Sequence, residues 1–307
     1  MKTLAMFTKN RENPAYAAAR LGAERVAARL DARITQYVPV VPDHAGEQQA
    51  LVDEAITARP DAVLFVATDA EAMIPSIAKL NAAGIPVFSF VNRLLGGQWV
   101  SHAGSDDVAL AKNIANYLFL NINNKRRVLV LAGTHGSISG RDRMTGFAAA
   151  FAAEFATHAR ITRVADVLGE FLQSAARREM ARVLDSGVEF DAILAANDAM
   201  ALGAIEAIEA AGKPLVPVVG VNAVPDAIAA IKSGKLLATA SFDAMKMACL
   251  AAEAAVRYLK GESVPREIML PVEIVDRANY AAWDMPFEAR ALPAWDAAMA
   301  NTPMDRS

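Results

Sequence analysis

The chain has 307 residues, 54% hydrophobic and 21% charged, a composition typical of a globular protein with one large or two medium domains. The formal net charge of -3 argues against nucleic acid as a partner, because the phosphate backbone attracts strongly basic surfaces. The single cysteine excludes a disulfide within the chain and a cysteine-rich metal site, and the four histidines lack the spacing of metal ligands.

Short aliphatic runs alternate with Ala-rich segments of helical spacing. The predicted strands are "TLAMF" at 3–7, "ITQYV" at 34–38, "AVLFVA" at 62–67, "PVFSFV" at 86–91 and "RVLVLAG" at 127–133. The predicted helices are 14–30, one from about residue 46, 71–84 and one from about residue 139. Continuous apolar strands separated by helices form parallel sheets covered on both faces, so the predicted fold class is α/β. No apolar run approaches the roughly 20 residues needed to span a bilayer.

A repeat relates two parts of the chain. Residues 61–92 and 191–222 each run from an Asp through an apolar strand, a polar pair, an Ala-rich helix and "AAG-x-P" to a second strand that ends on Asn. Asn92 is therefore the counterpart of Asn222. Two copies of one βαβ arrangement predict two similar lobes rather than one extended sheet.

The chain is expected to pass between these lobes three times, near residues 105–107, near 242–243 and near 271. The predicted N-terminal lobe comprises 1–105 and 243–271, and the C-terminal lobe comprises 106–242 and 272–307 with an extended C-terminal tail. The tail after Asp276 has neither helical nor strand periodicity, so we expect it to lie across the surface of a lobe.

Polar side chains follow the ends of the predicted strands, where open parallel sheets form their ligand sites. They are Lys9, Asn10 and Asn13; Thr68 and Asp69; Asn92 and Arg93; Arg141, at the end of "GTHGSISGR"; Asn197 and Asp198; and Asn222. Some have a structural explanation, because Asn13, Asp69 and Asp198 stand where helix N-caps belong. As a set, amides that donate and accept and guanidinium groups that donate suit the recognition of several hydroxyls or of a carboxylate.

Two further features bear on this site. Three aromatic residues, Tyr16, Phe171 and Phe242, offer flat apolar walls for the C–H face of a sugar ring, although core packing explains them equally well. Arg141 also has a structural explanation as a solvated helix residue, because Arg143 follows two positions later and the two cannot face the same way.

The sequence lacks the motifs of common enzymes. The first strand is not followed by G-x-G-x-x-G, which argues against a dinucleotide cofactor. The segment "GTHGSISGR" lacks the Gly-Lys-Ser/Thr ending of a phosphate-binding loop, and its "GSISG" has Ile138 where a nucleophile elbow has serine. We therefore predict a binding protein, not an enzyme, with no cofactor and no metal ion.

An ordered series of stretches resembles the ribose-binding-like periplasmic sugar receptors. They are "NPAYAAARLGAERVAARLDARI", "AGIPVFSFVNR", "SHAGSDD", "GRDRMTGF", "NDAMALGAIEAI", "VVGVNAVPDAIAAIKSGKLLATASF" and "YLKGESV", and the match covers roughly residues 2–276. The resemblance implies a type I periplasmic binding protein with two Rossmann-like lobes and a three-crossover hinge. It also implies a monomer that closes around a small ligand and presents it to the membrane permease subunits of an ABC importer.

Carried over position by position, the resemblance places the ligand contacts on ten residues. They are Lys9, Asn13, Tyr16, Asn92, Arg93, Arg141, Phe171, Asn197, Asn222 and Phe242. The family's ribose and galactose receptors usually carry carboxylates at the positions of Asn92 and Asn222. Without them the pocket is expected to be net cationic, unless Glu12, Asp69 or Asp198 supplies a counter-charge. The predicted ligand is a small polyhydroxylated molecule, a sugar or polyol, with a sugar acid as the variant.

Two other functions stay open at this point. The lac-repressor-like transcription regulators share the same core but carry an N-terminal helix-turn-helix, so an effector-binding domain of that kind would require a truncated chain. An enzyme on this scaffold would need an acid, a base and a nucleophile together, which the sequence does not place. The apolar opening is too short for a signal peptide, so a periplasmic location implies that the chain begins where a signal was removed.

Overall fold

The computed structural model describes residues 1–122, 127–156 and 161–300, which form two lobes, each on a six-stranded sheet. The strands are β1 (Lys2–Phe7), β2 (Ala32–Tyr37), β3 (Ala62–Phe65), β4 (Val87–Phe90), β5 (Ser101–Gly104), β6 (Arg127–Ala132), β7 (Thr162–Leu168), β8 (Ala192–Ala195), β9 (Val218–Val221), β10 (Ala238–Ala240), β11 (Glu267–Met269) and β12 (Ile274–Val275). The α-helices are α1 (Pro14–Arg29), α2 (Ala45–Ala58), α3 (Ile74–Ala82), α4 (Asp107–Asn121), α5 (Ile138–Ala156), α6 (Gln173–Ser186), α7 (Asp198–Ala210), α8 (Pro225–Ser233), α9 (Ala244–Leu259) and α10 (Trp295–Met299). Short 3₁₀ helices lie at Tyr280–Ala282 and Phe287–Ala289.

The two sheets have related topologies. The first has the order β11-β5-β4-β3-β1-β2 with parallel pairing, and the second has the order β12-β10-β9-β8-β6-β7, with β12 antiparallel to β10. The predicted α/β class and its two lobes with mostly parallel sheets are confirmed. Strands β5, β7, β10, β11 and β12 lie outside the predicted strands, because they are short or, in β7, partly exposed at a sheet edge.

The chain passes between the sheets three times. It leaves the first sheet after β5, returns after β10 and enters the second sheet again between β11 and β12. Helix α4 packs on α5 and on strands of the second sheet, whereas α9 packs on α1 and on strands of the first. The bounds 1–105 with 243–271, and 106–242 with 272–307, stay a proposal, and residues 301–307 lie outside the described part of the chain.

The cores explain the sequence pattern. Strands β3, β4, β8 and β9 are buried along their whole length, so each reads as a continuous apolar run without polar alternation. The Ala-rich helices pack closely on them and on one another. At Gly22 on α1, for example, a Cβ atom would lie 2.7 Å from the Met245 side chain on α9. None of the helices in the described residues is long and apolar enough to cross a bilayer.

Candidate ligand-binding site

A cavity lies between the lobes, at the carboxyl ends of strands from both sheets. It is lined by Asn13, Ala15, Tyr16, Val91, Asn92, Ser137, Ser139, Arg143, Phe171, Asn197, Asn222, Phe242 and Ala244. These residues follow β1, β4, β6, β7, β8, β9 and β10, as expected for a doubly wound sheet. The cavity is small and mostly enclosed by the two lobes, which limits an occupant to a small molecule.

Seven of the ten predicted site residues line this cavity. They are Asn13, Tyr16, Asn92, Phe171, Asn197, Asn222 and Phe242. The remaining three, Lys9, Arg93 and Arg141, do not. Because each of these three is a cation, the charge of the cavity differs from the predicted one.

The structure places Arg93 and Arg141 outside the cavity lining. Arg93 forms a two-bond ion pair with Glu267 of β11 on the surface of the first lobe. It follows Asn92 directly, but the Asn92 side chain contacts Ser139 of the other lobe instead. Arg141 lies at the start of α5 with its side chain 47% exposed, and its guanidinium pairs with Glu71 of the other lobe at 3.4 Å.

Lys9 also lies outside the cavity lining, for a different reason. Its side chain is buried, but it donates to the Ser137 hydroxyl across the two lobes at 3.1 Å instead of lining the cavity. Burial lowers the pKa of Lys9, and the nearby carboxylate of Asp43 opposes this effect. Lys9 therefore connects the lobes at the edge of the site.

Arg143 is the cationic residue that lines the cavity. Its Nε donates to Asp107 Oδ1 and its Nη1 to the carbonyl of Ala196, both at 2.6 Å. The guanidinium carbon lies 4.5 Å from the centre of the Phe242 ring and 5.9 Å from that of Phe171. With the head group fixed in this way, Nη2 has no hydrogen-bond partner among the described residues and is available to a ligand.

Asp107, at the start of α4, supplies the counter-charge, a role that the sequence interpretation gave to other acids. Burial raises the pKa of Asp107, while the adjacent Arg143 guanidinium acts in the opposite direction and favours the carboxylate. Asp107 Oδ2 also accepts from the Ser139 hydroxyl at 3.1 Å. The pair of Arg143 and Asp107 thus places no net charge on the cavity wall.

One sequence signal could have identified Arg143. Phe147 and Ala150 on α5 are buried, and they lie four and seven positions after Arg143, on the same face of the helix. Arg141 does not share this spacing with them. The signals for Asp107, Ser137 and Ser139 are weaker, because small polar residues near helix starts commonly act as caps.

Three polar side chains leave hydrogen-bonding groups free toward the cavity. Asn222 makes no side-chain hydrogen bond among the described residues and is 7% exposed. Asn13 uses Oδ1 to cap α1 through the amide of Ala15, at 3.0 Å, so its Nδ2 stays free. Burial raises the pKa of Tyr16 well above its ordinary value, which keeps the phenol neutral and able to donate.

Asn197 and Asp198 make different contacts from those predicted. Asn197, not Asp198, is the N-cap of α7, because its Oδ1 accepts from the amide of Met200 at 2.9 Å. Its Nδ2 donates to the carbonyl of Phe171 at 3.0 Å, so much of its capacity is already used. The buried Asp198 carboxylate instead accepts from the amide of Val224 and the hydroxyl of Thr239, and burial raises its pKa to about 6.

Aromatic rings form the apolar walls. The Phe171 ring lies directly on Gly133, where a Cβ atom would come within 2.0 Å of the ring. Phe171 has a φ of 60° and the preceding Glu170 a φ of 55°, a conformation that non-glycine residues rarely adopt. This strained turn holds the ring over Gly133. The described residues contain no cluster of side chains that could hold a metal ion.

Known proteins share this architecture. A model of the periplasmic binding protein domain matches residues 4–263. The ribose import binding protein of Salmonella typhimurium is 30% identical over 277 residues, which cover 89% of this chain and 90% of that protein. The structure of a Caulobacter myo-inositol binding protein with bound myo-inositol is 26% identical, with a TM-score of 0.84 over 92% of this chain and 95% of that one. A periplasmic solute binding protein of an Actinobacillus succinogenes ABC transporter, with bound D-allose, is 27% identical, with a TM-score of 0.82 over 92% of this chain and 100% of that one.

Proposed function

Because the chain belongs to the periplasmic binding protein family, we propose that it is the receptor of an ABC importer and captures a small neutral sugar or polyol between its lobes. One observation carries the proposal: free polar groups from both lobes and three aromatic rings converge on one small cavity. The relatives named above are proteins for ribose, myo-inositol and D-allose, which are neutral polyhydroxylated molecules. Hydroxyl groups and C–H faces are the features that such a lining recognises.

The charges of the site favour a neutral ligand over a sugar acid. Arg143 is the cation of the cavity wall, and Asp107 neutralises it at 2.6 Å. Lys9, Arg93 and Arg141 lie outside the cavity lining and have partners of their own. A ligand carboxylate would therefore have to compete with Asp107 for Arg143 and would be buried without a second cation.

Contacts across the mouth of the site indicate how the lobes close. Asn92 Oδ1 accepts from the Ser139 hydroxyl at 2.7 Å, and the Ala70 amide donates to the Gly136 carbonyl at 3.0 Å. A ligand that also bridges the lobes shifts the equilibrium toward this arrangement, because it contacts both lobes only when they are closed.

The proposal includes a periplasmic location, a monomer and delivery to the membrane permease subunits of the importer. The ribose import binding protein and the D-allose-bound transporter protein are transport receptors by name. These names favour a transport receptor over the effector domain of a transcription regulator.

Calorimetric titration of the dialysed protein tests the ligand class. The panel contains ribose, D-allose and myo-inositol, with D-galacturonate as the acidic comparison. We expect saturable binding of at least one neutral compound and much weaker binding of the acid. Arg143→Ala should abolish this binding, whereas Arg141→Ala, the matched control, should retain it within about twofold. Binding of D-galacturonate alone would contradict the proposal.

A further inference from the structure

The segment after β12, residues 276–300, lies beyond the part of the chain that matches the family, and it contacts both lobes. On the second lobe, Lys232 of α8 pairs with Asp284 at 2.7 Å. On the first lobe, Arg257 of α9 lies over the Trp295 ring at 4.9 Å. The segment, called the C-terminal strap below, therefore crosses from one lobe to the other, and not over one lobe alone.

Arg290 is a buried charged residue of the strap. Its Nη2 donates to the carbonyl of Ala223 at 2.8 Å, and its guanidinium lies 4.8 Å from the Phe287 ring centre and 5.3 Å from that of Trp283. Its own carbonyl accepts from Arg25 of α1 at 3.0 Å. Its Nε is buried and has no hydrogen-bond partner among the described residues.

Ala223 belongs to the turn that carries Asn222 into the cavity. Asn222 has a φ of 128° and Ala223 a φ of 52°, values that are unfavourable for residues other than glycine. The amides of Asn222, Ala223 and Val224 donate to Ala240 O, Thr239 Oγ1 and Asp198 Oδ2, respectively. The carbonyl of Ala223 is held by Arg290, so the strap completes the support of this strained turn.

The Asn222 side chain has no such support. Its amide group makes no hydrogen bond to the described protein, so its direction depends on the backbone of the turn. A group that only fastens the strap could remain in solvent, as the Lys232–Asp284 pair does. Burying a guanidinium with an unpartnered Nε is costly, so the position of Arg290 calls for a role at the turn.

We propose that Arg290 is a positioning residue for ligand binding, which acts through Ala223 to aim the Asn222 amide into the cavity. The inference rests on the proposed function for its ligand, but the arrangement of the turn can be tested without one. The strap thereby becomes part of the binding site although it does not line the cavity.

The first experiment uses the ligand-free protein. Hydrogen–deuterium exchange of the amides of Ala223 and Val224 is compared in wild type, Arg290→Ala and Asp284→Ala, which loosens the strap without touching the turn. We expect exchange to accelerate about tenfold in Arg290→Ala and to stay near wild type in Asp284→Ala. Equal changes in both variants, or no change in either, would overturn the inference.

The second experiment measures affinity for whichever of ribose, D-allose and myo-inositol binds the wild type most tightly. Arg290→Ala should weaken binding about tenfold, and the double variant Asn222→Ala/Arg290→Ala should bind no more weakly than Asn222→Ala alone. Additive losses would show that Arg290 acts independently of Asn222 and would contradict the proposal.

Two further outcomes, failure of a variant to fold and failure of the wild type to bind, have their own consequences. If Arg290→Ala does not fold, Arg290→Lys replaces it, and we expect a smaller exchange increase because lysine keeps the charge and can donate to one carbonyl. If none of the three compounds binds the wild type, the proposed function fails, and the exchange comparison alone decides the role of Arg290.

Discussion

Asn92 and Asn222 occupy equivalent positions in the sequence repeat, but the structure uses them differently. Asn92 accepts from Ser139 of the other lobe at 2.7 Å and donates weakly to the carbonyl of Ala67 at 3.5 Å. The Asn222 amide has no partner in the described protein and lines the cavity. The same βαβ arrangement therefore provides a lobe-to-lobe contact in one copy and an unbonded amide on the cavity wall in the other.

The polar pairs of the repeat differ in the same sense. Thr68 is tied to Gln48 through its amide and its hydroxyl, and the half-buried Asp69 caps the turn before α3. In the second copy, the buried Asp198 holds the turn after Asn222. The polar interior of the second lobe thus supports the ligand-binding residues, whereas that of the first supports the interface.

Arg143→Ala is expected to have the largest effect on stability, because it removes a buried cation of the second lobe. It leaves Asp107 buried without its ion-pair partner, and such a loss typically destabilises a protein by about 3–5 kcal/mol. Urea denaturation measures the change in the free energy of unfolding. Arg141→Ala, two positions away and half exposed, should change it by less than about 0.5 kcal/mol, and similar losses in the two variants would contradict the buried role of Arg143.

The pH dependence of stability tests the buried environment of Asp198 in the second lobe. Burial raises the pKa of Asp198 to about 6, so the folded protein holds this proton more tightly than the unfolded chain does. The stabilisation from the protonated form is present at low pH and is lost, by roughly 3 kcal/mol, as pH rises from about 4 through about 6.

Asp198→Asn should remove this loss. The free energy of unfolding of the variant, relative to wild type, should therefore rise with pH across that window, as measured by urea denaturation at several pH values. A constant difference between Asp198→Asn and wild type would contradict the raised pKa.

Asn222→Ala and Asn92→Ala compare the two copies directly. Asn222→Ala should weaken sugar binding about tenfold with little change in melting temperature, since its amide is bonded to no protein atom described here. Asn92→Ala should weaken binding only about threefold, because Ser139 keeps its bond to Asp107. Titration calorimetry measures both, and a larger loss for Asn92 would reverse the comparison.

Arg93→Ala is expected to have the smallest effect. Its ion pair with Glu267 is exposed on the first lobe, so the free energy of unfolding should change by less than about 0.5 kcal/mol and the affinity by less than about twofold. A large loss of affinity in titration calorimetry would return Arg93 to the site, where the sequence placed it.

The fold could be predicted because its signals are local. Buried strands such as β3 and β8 appear as continuous apolar runs, and the repeat that contains them indicates two lobes. The asparagines of the site could be predicted for a similar reason, since a residue just after a strand is delivered to the edge of the sheet. Phe171 and Phe242 follow β7 and β10, which were not predicted, so their place in the site came from the family resemblance.

The destinations of the long cationic side chains could not be predicted in this way. Lys9 ends at Ser137 because the opposite lobe lies within its reach, and Arg143 enters the cavity because α5 turns that face inward. Asp107 becomes its partner only through the packing of α4 against α5. These contacts depend on how separate elements meet, which a strand or helix pattern does not encode.

Gly133 shows how the absence of one carbon atom can set the shape of a binding site. Because the Phe171 ring occupies the space that a Cβ would need, any other residue at position 133 must displace the ring toward the cavity or away from it. The volume open to a ligand would then change without the exchange of any polar side chain. The size of the ligand that the cavity accepts thus depends on a residue that has no side chain to contact it.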